Sequence, residues 1–235
     1  MASTAGLERL VVALDTGDWD TFRAWCRRFG PRVGGLKVGL EAYVRFGPAA
    51  VAEARGSGAE VFLDLKLHDI PNTVAGAVAA AAGHGVRWLT VHAGGGRSML
   101  EAAVDAAGRE TTLLAVTVLT HLEDGELREL GWDGSIATRV RTWAHLAQAT
   151  GCGGVVCSPH ELPTLRTTFP SPFQLVTPGI RPAGSDLDDQ RRVASPAAAL
   201  AAGADLLVVG RPITRAADPD AVLEALATEL SAADD

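Results

Sequence analysis

The sequence predicts an α/β fold, a (β/α)8 TIM barrel, and three observations carry that expectation. Eight short apolar runs rich in β-branched residues recur along the 235-residue chain. Ala-rich amphipathic stretches separate them, which implies parallel strands joined by helical crossovers. Eight such units within ~250 residues match the usual size of this barrel. The alternative is a doubly wound open sheet. Against it, no G-x-G-x-x-G follows the first run, and Gly94-Gly95-Gly96 lacks that spacing. No linker, low-complexity segment or composition shift interrupts the chain, so residues 1–235 are expected to form one domain.

The units follow in order. Run 10–14 ends at Asp15 and precedes an amphipathic stretch at 18–29. Run 36–38 contains Lys37 and precedes a helical pattern over 42–55. Run 61–65 leads into Asp64-Leu65-Lys66-Leu67-His68-Asp69 and a helix over 74–83. Pro71 restricts Ile70 to an extended conformation and suits the first turn of that helix. Runs 88–91 and 113–119 precede helical stretches at 98–108 and 136–150, and His92 and Thr120 follow the two runs. Runs 155–157, 173–176 and 206–209 complete the set, with a last helix over 220–230.

Composition narrows the function classes. Hydrophobic residues make up 47% and charged residues 21%. No apolar run approaches the ~20 residues of a membrane span. Residues 1–8 lack a basic region followed by an apolar stretch, so a cytoplasmic chain without a secretion signal is expected. A net charge of -7 argues against a broad nucleic-acid surface but leaves room for a small anion held by local arginines. Cys26, Cys152 and Cys157 are odd in number and fit no zinc spacing, so they read as reduced packing residues. The six histidines include no HExxH. No metal site is expected.

Lys37 and Lys66 are the only lysines among 21 Lys plus Arg. An arginine-biased composition explains the scarcity but not the positions. Lysine, unlike arginine, is a compact ammonium that can give up a proton. Residues at the C-terminal ends of barrel strands face the active site, and Asp15, Lys37, Asp64 and Lys66 all stand there. Asp64 and Lys66 are two apart on a strand, so they share a face ~7 Å apart along it. Leu63, Leu65 and Leu67 then point toward the helices. A carboxylate and an ammonium inside a barrel must be paired or functional. With Asp15 and Lys37 they form an alternating array, in which opposite charge favours the ammonium form. Lys66 thus reads as a general acid and a poor Schiff-base nucleophile, a role that needs neutral amine. Asp69 also fits a turn or helix-capping residue. His92 reads as a packed group.

The other end of the site is anion-binding in character. Thr177-Pro178-Gly179-Ile180-Arg181 follows the seventh run and Gly210-Arg211 the eighth. Loops after strands seven and eight are frequent phosphate sites in barrels. Glycine admits the anion to the backbone, and arginine adds forked, charge-assisted hydrogen bonds. Gln190 can donate an amide hydrogen bond, Thr120 can present a hydroxyl, and segment 179–189 reads as a lid.

These residues resemble the orotidine 5'-phosphate decarboxylase family in its short bacterial form. Asp64-Leu65-Lys66-Leu67-His68-Asp69-Ile70-Pro71-Asn72-Thr73 is similar to the family's signature through its whole length. The blocks at Asp15, Lys37, Thr120, Arg181, Gln190 and Arg211 follow in the family's order, over about residues 9–230. The resemblance implies cofactor-free decarboxylation of orotidine 5'-monophosphate to UMP in de novo pyrimidine biosynthesis. It implies that Lys66 protonates C6 and that Asp64 lies near the departing carboxylate. Asp69 and Thr73 would enter from the other subunit of a homodimer with shared sites. Asp15 and Lys37 would bind the ribose hydroxyls, Thr120 the pyrimidine region, and Gln190, Arg181, Gly210 and Arg211 the phosphate. Rival readings are a magnesium-dependent sugar-phosphate decarboxylase or hexulose-phosphate synthase, a class I aldolase and a catalytically silent nucleotide-binding protein. The magnesium-dependent relatives share D-x-K-x-x-D but carry an acid where this chain has Lys37.

Overall fold

The computed structural model describes residues 6–182 and 193–232. Eight parallel strands close into a barrel in sequence order: β1 (Leu10–Ala13), β2 (Gly35–Val38), β3 (Glu60–Leu67), β4 (Trp88–His92), β5 (Thr112–Val116), β6 (Gly154–Val156), β7 (Gln174–Thr177) and β8 (Leu206–Val209). Closure is made by β1 against β8, where Leu10 registers with Leu207 and Val12 with Val209. The described helices are α1 (Trp19–Phe29), α2 (Leu40–Phe46), α3 (Pro48–Gly56), α4 (Pro71–Gly83), α5 (Gly96–Ala107), α6 (Asp124–Glu129), α7 (Ile136–Ala149), α8 (Leu162–Thr168), α9 (Pro196–Ala201), α10 (Arg211–Thr214) and α11 (Pro219–Ser231).

The period-2 alternation of each strand divides the core in two. Val12, Leu36, Leu63, Leu89, Val155, Leu175 and Leu207 face outward into the layer shared with the helices. Val11, Phe62, Trp88, Leu114, Val176, Leu206 and Val208 fill the barrel interior. Gly35 belongs to this interior design: a Cβ there would meet Trp88 Cζ3 at 3.1 Å, so the missing side chain makes room for the indole. The indole Nε1 donates to Gln174 Oε1 at 3.1 Å, which satisfies its one polar atom. An apolar plug therefore closes the lower barrel. Above it, at the C-terminal ends of the strands, the interior becomes polar with Lys37, Asp64 and Thr90.

Local chemistry accounts for the departures from the expected elements. The pattern over 42–55 is two helices, because Gly47 turns the chain at φ 59 and Pro48 starts α3; proline tolerates only a first-turn position. The fifth strand stops at Val116, short of residue 119. Its neighbour β6 ends at Val156, and Thr117 Oγ1 donates to the Val156 carbonyl at 2.9 Å. Helices α6, α8, α9 and α10 span four to seven residues, too short to display a 3.6-residue period. Helix α1 is capped by Asp18, its carboxylate accepting from Thr21 N at 2.7 Å. All three cysteines are buried and free, and burial raises the Cys26 thiol to about 12 and the Cys152 thiol to about 11. No described helix is long and apolar enough to cross a membrane.

Candidate active site

The third strand is irregular where its charged residues lie. Leu63 registers with Leu89 and Leu67 with Val91, so β3 uses four residues where β4 uses two. Within this bulge Lys66 takes φ 50, the one positive φ outside glycine among the described residues. A left-handed lysine costs about 1–3 kcal/mol and persists only where its surroundings over-determine it. The bulge corrects the regular-strand geometry expected for this segment. Lys66 Nζ donates to both Asp64 oxygens, at 2.8 and 2.9 Å. The leucines behave as expected: Leu63 is buried in the outer core, and Leu65 and Leu67 pack against it.

Three further groups complete the array. Lys37 Nζ donates to Asp15 Oδ1 at 3.3 Å and lies 3.6 Å from Asp64 Oδ2. Burial works to lower the Lys37 pKa, but the Asp64 and Asp15 carboxylates outweigh it and hold the ammonium above its ordinary value. Asp64 is the mirror case. Its burial favours the neutral acid, yet Lys37, Lys66 and a hydrogen bond from Thr90 hold it below the usual carboxylate range. Thr90 Oγ1 donates to Asp64 Oδ1 at 2.9 Å and accepts from Lys66 N at 2.9 Å. Gly39, just past β2, leaves space for this chemistry: a Cβ there would fall 2.6 Å from Asp15 Oδ1 and 2.8 Å from Lys37 Nζ.

His92 is a packed group, as expected. Its ring stacks on His68 at 5.1 Å and meets the edge of Trp143 at 5.6 Å. Its Nδ1 accepts from Gly94 N at 3.1 Å. Burial, with His68 and Lys66 nearby, lowers its pKa to about 4, so at neutral pH it is an uncharged neighbour of the array.

The array forms one wall of a cavity of about 570 Å³ at the C-terminal end of the barrel, within the ~300–1,000 Å³ range of small-molecule sites. Asp15, Lys37, Asp64 and Lys66 share it with Thr120, Arg181, Gly210 and Arg211. Seven of these side chains and one glycine, drawn from distant stretches of sequence, thus meet as the motifs implied. Thr120 lies four residues beyond the end of β5, in the following loop, rather than at the strand end. Arg181 is buried, and its Nη1 donates to Ile180 O at 3.1 Å. The base of the segment after β7 is tied by Arg181 N to Ala194 O at 3.0 Å and Ala194 N to Gly179 O at 3.3 Å. Gln190 and residues 183–189 of the expected lid lie outside the described residues.

Asp69 and Thr73 are not in this cavity. Both are exposed, Thr73 on the first turn of α4 and Asp69 with its Oδ1 accepting from Ile70 N at 2.6 Å. Sequence reasoning missed Thr90 and Gly39, and also Trp25, Glu41 and Arg215, which line the cavity. Thr90 carried a signal: it stands two residues after Trp88 on the inward face of an apolar strand, where a hydroxyl needs a partner. Gly39 and Arg215 carried none that distinguishes them from other glycines and arginines. Among the described residues no group of His, Cys, Asp and Glu is arranged to hold a metal ion.

The model of the orotidine 5'-phosphate decarboxylase / HUMPS family matches residues 8–226. The chain is 53% identical over 222 residues to the orotidine 5'-phosphate decarboxylase of Thermobifida fusca, covering 94% of this chain and 95% of that protein. It is 52% identical over 234 residues to the enzyme of the same name from Halorhodospira halophila, covering 98% and 99%. The crystal structure of orotidine 5'-phosphate decarboxylase from Lactobacillus acidophilus superposes with a TM-score of 0.83 at 38% identity, over 94% of this chain and 98% of that one. By sequence, fold and the array at the barrel mouth, the chain belongs to the orotidine 5'-phosphate decarboxylase / HUMPS family, on its decarboxylase side.

Proposed function

We propose that this chain, acting as a single catalytic domain in the cytoplasm, converts orotidine 5'-monophosphate to UMP and carbon dioxide in pyrimidine biosynthesis. The reaction needs no cofactor, and Lys66 is the acid. The bond between C6 and the carboxylate carbon breaks, its electron pair stays on C6, and a proton passes from Lys66 Nζ to that carbon. Solvent then returns a proton to the amine. The in-plane electron pair at C6 gains nothing from the ring's π system, so the stabilisation must come from outside the substrate. A fixed ammonium, held by Asp64, supplies it without reorganisation.

The observation that carries this reading is the placement of Lys66 Nζ, 2.8 Å from Asp64 Oδ1 and beside a second ammonium–carboxylate pair. Arg181, Gly210 and Arg211 lie on the same cavity and suit a phosphate. Binding energy gathered at that end can orient the base and drive closure. Asp15 and Lys37 suit the ribose hydroxyls, Thr120 the pyrimidine, and Gln190 the phosphate. Asp64 suits a place near the departing carboxylate.

Asp69 and Thr73 are assigned to the site of a second subunit in a homodimer. Their exposure supports this, as do the apolar side chains presented at the same end of the barrel: Leu40 is 52% exposed, Val44 81% and Ile70 66%. Mixing the protein with orotidine 5'-monophosphate tests the activity directly. The substrate's absorbance should fall as UMP forms, with or without EDTA. A stable spectrum sinks the proposal, and a loss of activity in EDTA sinks its cofactor-free part.

A further inference from the structure

We infer that Thr90 is a positioning residue for Lys66, its single hydroxyl fixing both the backbone of Lys66 and the carboxylate that holds the Lys66 ammonium. This rests on the reading of Lys66 as the acid. Thr90 is fully buried on the inward face of β4. A backbone N–H can only donate, so Thr90 Oγ1 accepts from Lys66 N at 2.9 Å. Asp64 is held ionised, so the hydroxyl proton points to its Oδ1, also at 2.9 Å. Lys66 Nζ then returns to that same Oδ1 at 2.8 Å. The result is a closed circuit that starts at the Lys66 backbone and ends at the Lys66 side chain.

The position of this circuit explains why it matters. It spans the stretch where β3 and β4 fall out of register, between Leu63 and Leu67. Lys66 is also left-handed there, a conformation that needs external support. A side chain from the neighbouring strand supplies that support, and the same oxygen sets the direction of the carboxylate. Valine matches threonine in shape but offers neither bond. Serine offers both and lacks only a methyl group. Packing and positioning therefore make opposite forecasts for the two substitutions.

The test compares Thr90→Val and Thr90→Ser with the parent enzyme in steady-state turnover and thermal unfolding. Misplacing a reacting group by about 1 Å can cost on the order of a hundredfold in rate. Thr90→Val should therefore lose about ten- to a hundredfold in kcat, with KM nearly unchanged because the phosphate end is untouched. Thr90→Ser should keep most of the rate. An undiminished kcat in Thr90→Val, a loss confined to KM, or a loss that serine fails to rescue would each overturn the inference. If Thr90→Val does not fold, Thr90→Ala takes its place against serine with the same forecasts. A crystal structure of the valine or alanine variant reads the inference without turnover: Lys66 should lose its positive φ or its contact with Asp64. Retention of both the positive φ and the Asp64–Lys66 contact overturns it. Absence of orotidine 5'-monophosphate turnover in the parent enzyme would instead refute the functional reading, leaving the structural comparison to decide on Thr90.

Discussion

The Lys37 ammonium sits between two carboxylates, 3.3 Å from Asp15 Oδ1 and 3.6 Å from Asp64 Oδ2. Asp64 in turn receives Lys66, so two acids and two amines alternate along one wall of the cavity. A ligand entering that wall meets no single uncompensated charge. It meets a row of fixed dipoles, an arrangement that stabilises charge as it develops during reaction.

Replacing the acid tests the chemistry. Lys66→Ala is expected to abolish turnover while keeping appreciable affinity for UMP, because Arg181 and Arg211, the residues proposed to hold the phosphate, stay in place. Stopped-time assays and calorimetric titration with UMP would show this. Near-normal turnover would remove Lys66 from the acid role.

The anion end should behave differently. Arg211→Ala is expected to weaken nucleotide binding by about 1–3 kcal/mol, the range for a charged hydrogen-bonding group. KM would then rise about tenfold for each 1.4 kcal/mol lost. An unchanged KM would exclude Arg211 from the phosphate site.

Subunit mixing tests the assignment of Asp69. Asp69→Ala and Lys66→Ala chains are each expected to be inactive alone. Mixed dimers should recover activity, because one composite site would contain an intact copy of both residues. Verified heterodimers without activity would place Asp69 outside a shared site.

The array also predicts how stability follows pH. Asp64 has its folded pKa below the ordinary 3.8, so it contributes stability above that value and loses it as pH falls through the folded pKa. Lys37 has its folded pKa above the ordinary 10.5, so its contribution is present below that value and is lost as pH rises further. Urea midpoints should therefore fall on the acid side below about pH 4. Asp64→Asn should flatten that acid decline relative to the parent chain, and an identical decline in both would show that Asp64 contributes none of it.

Much of the fold was legible because burial in a barrel imposes a pattern on the chain. Strands covered on both faces read as apolar runs, and β8 was located at both ends from that signal alone. Split helices and short strands were less legible. Gly47-Pro48 breaks an amphipathic pattern that continues across it, and β5 stops where its partner β6 runs out, a condition set by another strand.

The linear order of residues was enough to single out Asp15, Lys37, Asp64, Lys66, Arg181 and Arg211 as site candidates, because charged groups at strand ends need a purpose or a partner. Only the tertiary structure decided how they meet. The register between β3 and β4 slips at the Asp64–Lys66 contact, and Thr90 joins that contact from the neighbouring strand. Register is a property of two strands held side by side, and spacing within either one does not contain it.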